Sequence, residues 1–86
     1  MIKNQNALIL ERILSEVLDI PKSQIGDDLS PKNCSSWDSF NNFALIAKIQ
    51  DKFGVSFSLK EVQSISSVNK IKQLLSKHGI TFLKKS

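Results

Sequence analysis

Few residues in this chain could do covalent chemistry. It has one histidine and one cysteine. A Ser-His-Asp or Cys-His set would have to use His78, close to the C-terminus. A single cysteine excludes an internal disulfide and a cysteine-based zinc site. Cys34 has no neighbouring base that would favour a thiolate, so it reads as an ordinary loop cysteine. Asp27-Asp28 lies in a Ser- and Pro-containing stretch and reads as a pair of solvated turn residues, not a cation site. His78 falls in a last helical turn, where a cation is mildly favoured. Ser39 is the remaining candidate. It follows Asp38 where a polar loop gives way to an apolar run. A group attached to its hydroxyl would lie at a helix N-terminus, where free N–H groups and the helix dipole favour phosphate. Taken locally, a serine beside an aspartate at a helix start is explained by capping alone. Ser35 and Ser36 precede the helix start and are weaker candidates.

The elements that must position Ser39 can be read from periodicity. Leu10, Ile13, Leu14, Val17 and Leu18 recur at steps of three and four, which predicts an amphipathic helix over Ala7 to Leu18. Asn6 is its expected N-cap and Pro21 its stop. Residues 19–37 form a long link broken by Pro21, Gly26 and Pro31, with Ile20, Ile25 and Leu29 as apolar anchors along the core. Part of Asp27 to Pro31 is assigned a short turn of helix. A second helix is expected over Ser39 to Phe53, capped by Asp38 and stopped by Gly54 in the left-handed position. Val55-Ser56-Phe57 is too short to support a sheet. Ser58-Leu59-Lys60-Glu61 has capping-box spacing and starts a short third helix. Ser66 or Ser67 caps a last helix over Val68 to Lys77, with Val68, Ile71, Leu74 and Leu75 inward and Gly79 beyond its end. Residues 80–86 form a tail, with Ile80 or Phe82 docked.

The second helix carries two apolar faces. At about 100° per residue, Leu45, Ile46, Ile49 and Phe53 fall on one side, and Phe40, Phe43, Ala44 and Ala47 on the other. Either it is a central helix covered on both sides, or one face holds the core and the other receives a partner. On the second reading Phe40 and Phe43 are exposed aromatic anchors, a residue type that dominates small interfaces.

At 86 residues the chain is one small domain, with 41% hydrophobic and 23% charged residues. That composition suits a folded domain and excludes a disordered tail. No apolar run reaches the roughly 20 residues of a membrane span, and the N-terminus lacks the apolar stretch of a signal peptide. A cytoplasmic location is the expectation. The formal net charge of +4 points first to nucleic acid or an anionic membrane. The excess, however, lies wholly in the last helix and tail, at Lys70, Lys72, Lys77, Lys84 and Lys85. No helix-turn-helix spacing accompanies it, and the aromatic residues lie on a different helix.

Trp37-Asp38-Ser39-Phe40 before an apolar helix ending in Phe53-Gly54 resembles the acyl carrier protein family, in which an Asp-Ser-Leu motif opens the second helix. The resemblance runs from about Leu8 to Gly79. It takes in Val17-Leu18-Asp19-Ile20-Pro21, the anchors Ile25, Asp28 and Leu29, the Phe53-Gly54-Val55-Ser56-Phe57 link, and Ile65-Ser66-Ser67-Val68. It implies an all-α fold: a small four-helix bundle of acyl-carrier type, with three main helices, one short helix and a long first loop.

The resemblance further implies that Ser39 carries 4′-phosphopantetheine, transferred from coenzyme A by a phosphopantetheinyl transferase with magnesium held mainly at that enzyme. The arm would hold acyl or aminoacyl groups as thioesters for a loading enzyme and a downstream transferase or synthase. The chain itself would not be an enzyme, would bind no metal of its own, and would be a monomer. Partner contacts would fall on Asp38, Phe40, Phe43 and Ala47, with Val62 and Ile65 in a second contact region. Two departures stand out. Phe40 replaces the usual leucine. The second helix also lacks the family's row of carboxylates: Asp51 is its only acid, and Lys48 and Lys52 are positive. A weak field means weak electrostatic steering, which points to a specialised stand-alone carrier in a secondary-metabolite, polyketide, aminoacyl or surface-polysaccharide setting. The alternatives are a small basic helical domain that binds nucleic acid, and a protein-docking domain without a cofactor.

Overall fold

The computed structural model describes residues 5–82. Its elements are α1 (Gln5–Leu18), a 3-10 turn (Lys22–Gln24), α2 (Ser39–Phe53), α3 (Leu59–Gln63) and α4 (Val68–Lys77), with no strand among the described residues. The fold is thus all-helical, with four α-helices around one core and a Cα radius of gyration of 12.2 Å.

The core follows the expected periodicities. α1 contributes Leu10, Ile13, Leu14 and Leu18; α4 contributes Val68, Ile71, Leu74 and Leu75. Leu45, Ile46 and Ile49 from α2 meet them, while Leu29, Cys34, Trp37 and Phe57 come from the links. No described polar or charged residue is buried, and no buried side-chain nitrogen or oxygen among the described residues lacks a hydrogen-bond partner.

The ends of the helices show why they stop where they do. Asp38 accepts a hydrogen bond from the Asn41 amide at 2.8 Å and caps α2, and Gly54 closes it at φ 66°. A side chain at that angle would be strained, and glycine has no Cβ to strain. Ser58 and Glu61 form both halves of a capping box around α3. Ser67, not Ser66, caps α4 through the Lys70 amide.

Two expectations need correction. Asn6 is not an N-cap, because α1 already covers Gln5; its side-chain amide instead donates to the Thr81 carbonyl at 3.1 Å. The only helical turn in the first link is Lys22–Gln24, not within Asp27 to Pro31, where the chain makes hydrogen-bonded turns. α1 ends at Leu18 as expected, and Asp19 follows in the left-handed region (φ 55°) two residues before Pro21. Proline disfavours helix at Ile20, so the reversal must occur one residue earlier. The Ser15 hydroxyl braces it by donating to the Ile20 carbonyl at 2.6 Å.

The long first link is tied to the far end of the chain. The Leu29 carbonyl accepts from the Val68 amide, and the Asp27 carbonyl from the Asn69 amide, each at 2.9 Å. Two amides of α4 that have no intrahelical partner are thereby satisfied by the loop. Ile80 and Phe82 both pack on the core, so the folded part extends past Gly79; the tail lysines Lys84 and Lys85 lie outside the described residues.

α3 buries no residue fully; Val62 packs against the core, and polar bonds hold its ends. Glu61 receives the Ser58 amide at 2.9 Å, and the His78 Nε2–H lies 3.2 Å from both its carboxylate oxygens. The hydrogen bond from the Ser58 amide lowers the Glu61 carboxyl from its ordinary value; desolvation opposes it in part, and His78 and then Lys77 lower it further. A carboxyl lowered on folding stabilises the fold above its unfolded value, and that stability disappears as pH falls through the folded value. Urea midpoints measured from pH 7 to pH 3 are expected to fall on the acid side in the native chain. Glu61→Gln should lie lower at pH 7 and show a shallower acid decline; an identical decline in both would remove Glu61 from this role.

Candidate functional site

Ser39 is the first residue of α2 and is exposed. Its hydroxyl has no partner among the described residues. The chain before it is held rigidly. The Trp37 amide donates to the Cys34 carbonyl at 3.0 Å. The Trp37 indole N–H donates to Asn42 Oδ1 at 2.9 Å, and the Asn41 side-chain amide to the Ser36 carbonyl at 2.7 Å. Asn41 and Asn42 thus reach back from the first turn of α2 and grip the residues on the other side of Ser39. Trp37 itself is 3% exposed, so a buried indole fixes the point from which the serine projects.

An open groove of about 340 Å³ runs beside the serine, lined by Pro31, Trp37, Asp38, Ser39, Asn42 and Ile65. Asp38 is its only ionisable lining residue. On the outer face of α2, Phe40 is 79% exposed and Phe43 69% exposed, and Ala47 is exposed with them. The side bearing Leu45, Ile46 and Ile49 is buried. α2 is therefore not covered on both sides, and its second apolar face is open to solvent.

Five of the six residues expected to contact partners fall into two sets. Asp38 and Ile65 share the groove with Ser39, while Phe40, Phe43 and Ala47 follow one another along the outer face. Val62 joins neither; it is half-buried on α3 and packs against the core. Pro31 and Asn42 line the groove and were not singled out by sequence reading. The signal for Asn42 was an asparagine one turn after a tryptophan that sits just before a cap.

Several other polar side chains singled out in the sequence have structural partners. Cys34 is buried, with its sulfur 3.3 Å from the Ser36 hydroxyl. Asp27 pairs with Lys72 at 2.8 Å and Lys77 approaches Glu61 at 3.9 Å, so two of the lysines on α4 face carboxylates. No group of three potential metal ligands occurs among the described residues, and none of their helices is long and apolar enough to cross a membrane.

Asp38→Ala removes the cap without touching the serine. The expected cost is about 1 kcal/mol, read as a lower urea midpoint with an unchanged slope. An unchanged midpoint would mean that the 2.8 Å contact to the Asn41 amide contributes nothing in solution.

No protein-family profile matches the chain, and no curated protein matches it.

Proposed function

We propose that this chain is an acyl carrier that bears 4′-phosphopantetheine on Ser39 and presents acyl or aminoacyl thioesters to partner enzymes. One observation carries the reading: a serine hydroxyl without a partner stands at the first turn of a helix whose adjoining face exposes two phenylalanines. The Asp38-Ser39 pair and the family-like lengths of the surrounding elements agree with it.

In this reading each part of the site has a task. Ser39 Oγ forms the new bond to phosphorus, its proton leaves to a base of the transferase, and the bond to the nucleoside bisphosphate part of coenzyme A breaks. With the Asn41 amide taken by Asp38, the Ser39 and Phe40 amides are the ones at the start of α2 without an intrahelical carbonyl, and they would lie nearest the resulting phosphodiester. The arm supplies a terminal thiol that holds the cargo as a thioester. Trp37, Asn41 and Asn42 keep the attachment point fixed, so that a docked partner meets the arm at a reproducible place. Phe40 and Phe43 provide apolar contact. With Asp38 the only ionisable residue in the groove, recognition rests on shape and aromatic burial more than on charge. This favours the specialised stand-alone carrier over one adapted to strongly basic partners.

The test is intact mass after incubation with coenzyme A, magnesium and a broad-specificity phosphopantetheinyl transferase. One phosphopantetheine per chain is expected. An unmodified mass would overturn the carrier reading and favour a docking domain that uses the same aromatic face without a cofactor.

A further inference from the structure

A second groove lies at the opposite end of α2 from Ser39. It measures about 320 Å³ and is lined by Gln5, Leu8, Ile9, Arg12, Ile13, Lys22 and Lys52. Lys52 is thirteen residues along α2 from Ser39, about 20 Å at 1.5 Å per residue. The two grooves therefore do not overlap.

Two features distinguish this groove. The first is its apolar side: Leu8 is 42% exposed on α1, Ile9 is half-buried and Ile13 lies beneath. A large aliphatic side chain left partly in water beside a concavity is a docking feature when it has company. The second is its charge. Arg12, Lys22 and Lys52 come from three separate elements and are all exposed, and among the described residues no carboxylate lines the groove. None of the three has an ion-pair partner among the described residues, whereas Lys72 and Lys77 both do.

We propose that this groove docks an acidic, leucine-containing segment of a partner protein. Charge complementarity selects the acidic character, because three cations converge on a site with no acid of its own. The exposed Leu8 and the apolar floor require at least one aliphatic anchor between the acids. Three cations spread over three separate elements around an apolar floor suit an extended segment with several acids better than a compact ligand with one. Such a contact would tether a partner while leaving Ser39 and the α2 aromatic face free. The proposal does not depend on Ser39 being modified.

The test uses the unmodified full chain, labelled with ¹⁵N, and a twelve-residue amphipathic peptide of glutamate and leucine. Amide shifts are expected around Leu8, Arg12, Lys22 and Lys52 and not around Ser39. Arg12→Gln/Lys22→Gln/Lys52→Gln should weaken binding at least tenfold, and Leu8→Ser at least threefold, with circular dichroism unchanged. Raising the salt concentration should weaken the native complex. A lysine-leucine peptide serves as the charge control, and vesicles of phosphatidylglycerol test the lipid alternative. Absence of shifts at these amides, equal binding of the lysine-leucine peptide, or vesicle binding through these residues without peptide binding would each overturn the proposal. Because unmodified chain is used, none of these outcomes bears on phosphopantetheine attachment.

Discussion

Ser39→Ala is expected to abolish phosphopantetheine addition completely, while Ser35→Ala and Ser36→Ala each accept one group per chain. The expectation follows from geometry as well as from the motif. Ser35 lies in the loop before the helix, and Ser36 is partly buried, with its hydroxyl 3.3 Å from the Cys34 sulfur and its carbonyl engaged by Asn41. Neither begins a helix. Ser39 is exposed and begins α2. Alanine has high helix propensity and Asp38 remains as the cap, so the variant should fold and melt close to the native chain. Intact mass, with circular dichroism alongside, therefore separates lost chemistry from lost structure. Addition to the Ser39→Ala chain at the native level would move the attachment point elsewhere and remove the basis of the site.

Trp37→Ala is expected to be the most damaging single change near the site, at about 3–5 kcal/mol, the usual range for truncating a buried large aromatic residue. A domain of this length holds on the order of 5–10 kcal/mol in total, so much of the margin disappears. Two effects act together. The indole is nearly fully buried, and its removal leaves a cavity under the loop. The 2.9 Å bond to Asn42 Oδ1 is also lost, which frees the grip between the loop and the first turn of α2. Trp37→Phe separates them. It retains much of the packing and forfeits the hydrogen bond, at about 1 kcal/mol before any residual void. Urea denaturation should rank native, then Trp37→Phe, then Trp37→Ala. Equal midpoints for native and Trp37→Ala would show that the indole does not organise the loop.

Much of the helical layout was legible because its signals are local. Asp38, Gly54, Ser58 with Glu61, and Gly79 mark helix ends through residue types with a definite backbone role, and α2 and α4 have the expected bounds. Core positions followed from periodicity, since one solvent-averse stripe per helix permits one inward orientation. The first link was harder. Its turns depend on bonds between residues far apart in sequence, such as Asn69 to Asp27, and local patterning carries no trace of these. Asn6 misled for a similar reason: its amide serves a contact to Thr81, 75 residues away, so its type spoke of a cap while its position served a tie. At the site, Ser39 and the exposed phenylalanines were legible from type and spacing. The grip of Asn41 and Asn42 was not, because two asparagines inside a helix look neutral until the backbone folds past them. The inward packing of Val62 was equally hidden, since a lone valine on a five-residue helix has no periodicity to orient it.

The bonds from Asp27 and Leu29 to the start of α4 have a consequence for folding order and for chimaeras. About forty residues separate the two ends of that contact, so closing it carries a loop-closure entropy that neighbouring turns do not. The last helix completes the hydrogen bonds of its N-terminal turn only when the early loop has arrived. Grafting a foreign segment in place of residues 19–37 would accordingly unsettle the C-terminal helix first, at a distance from the serine whose surroundings the graft was meant to alter.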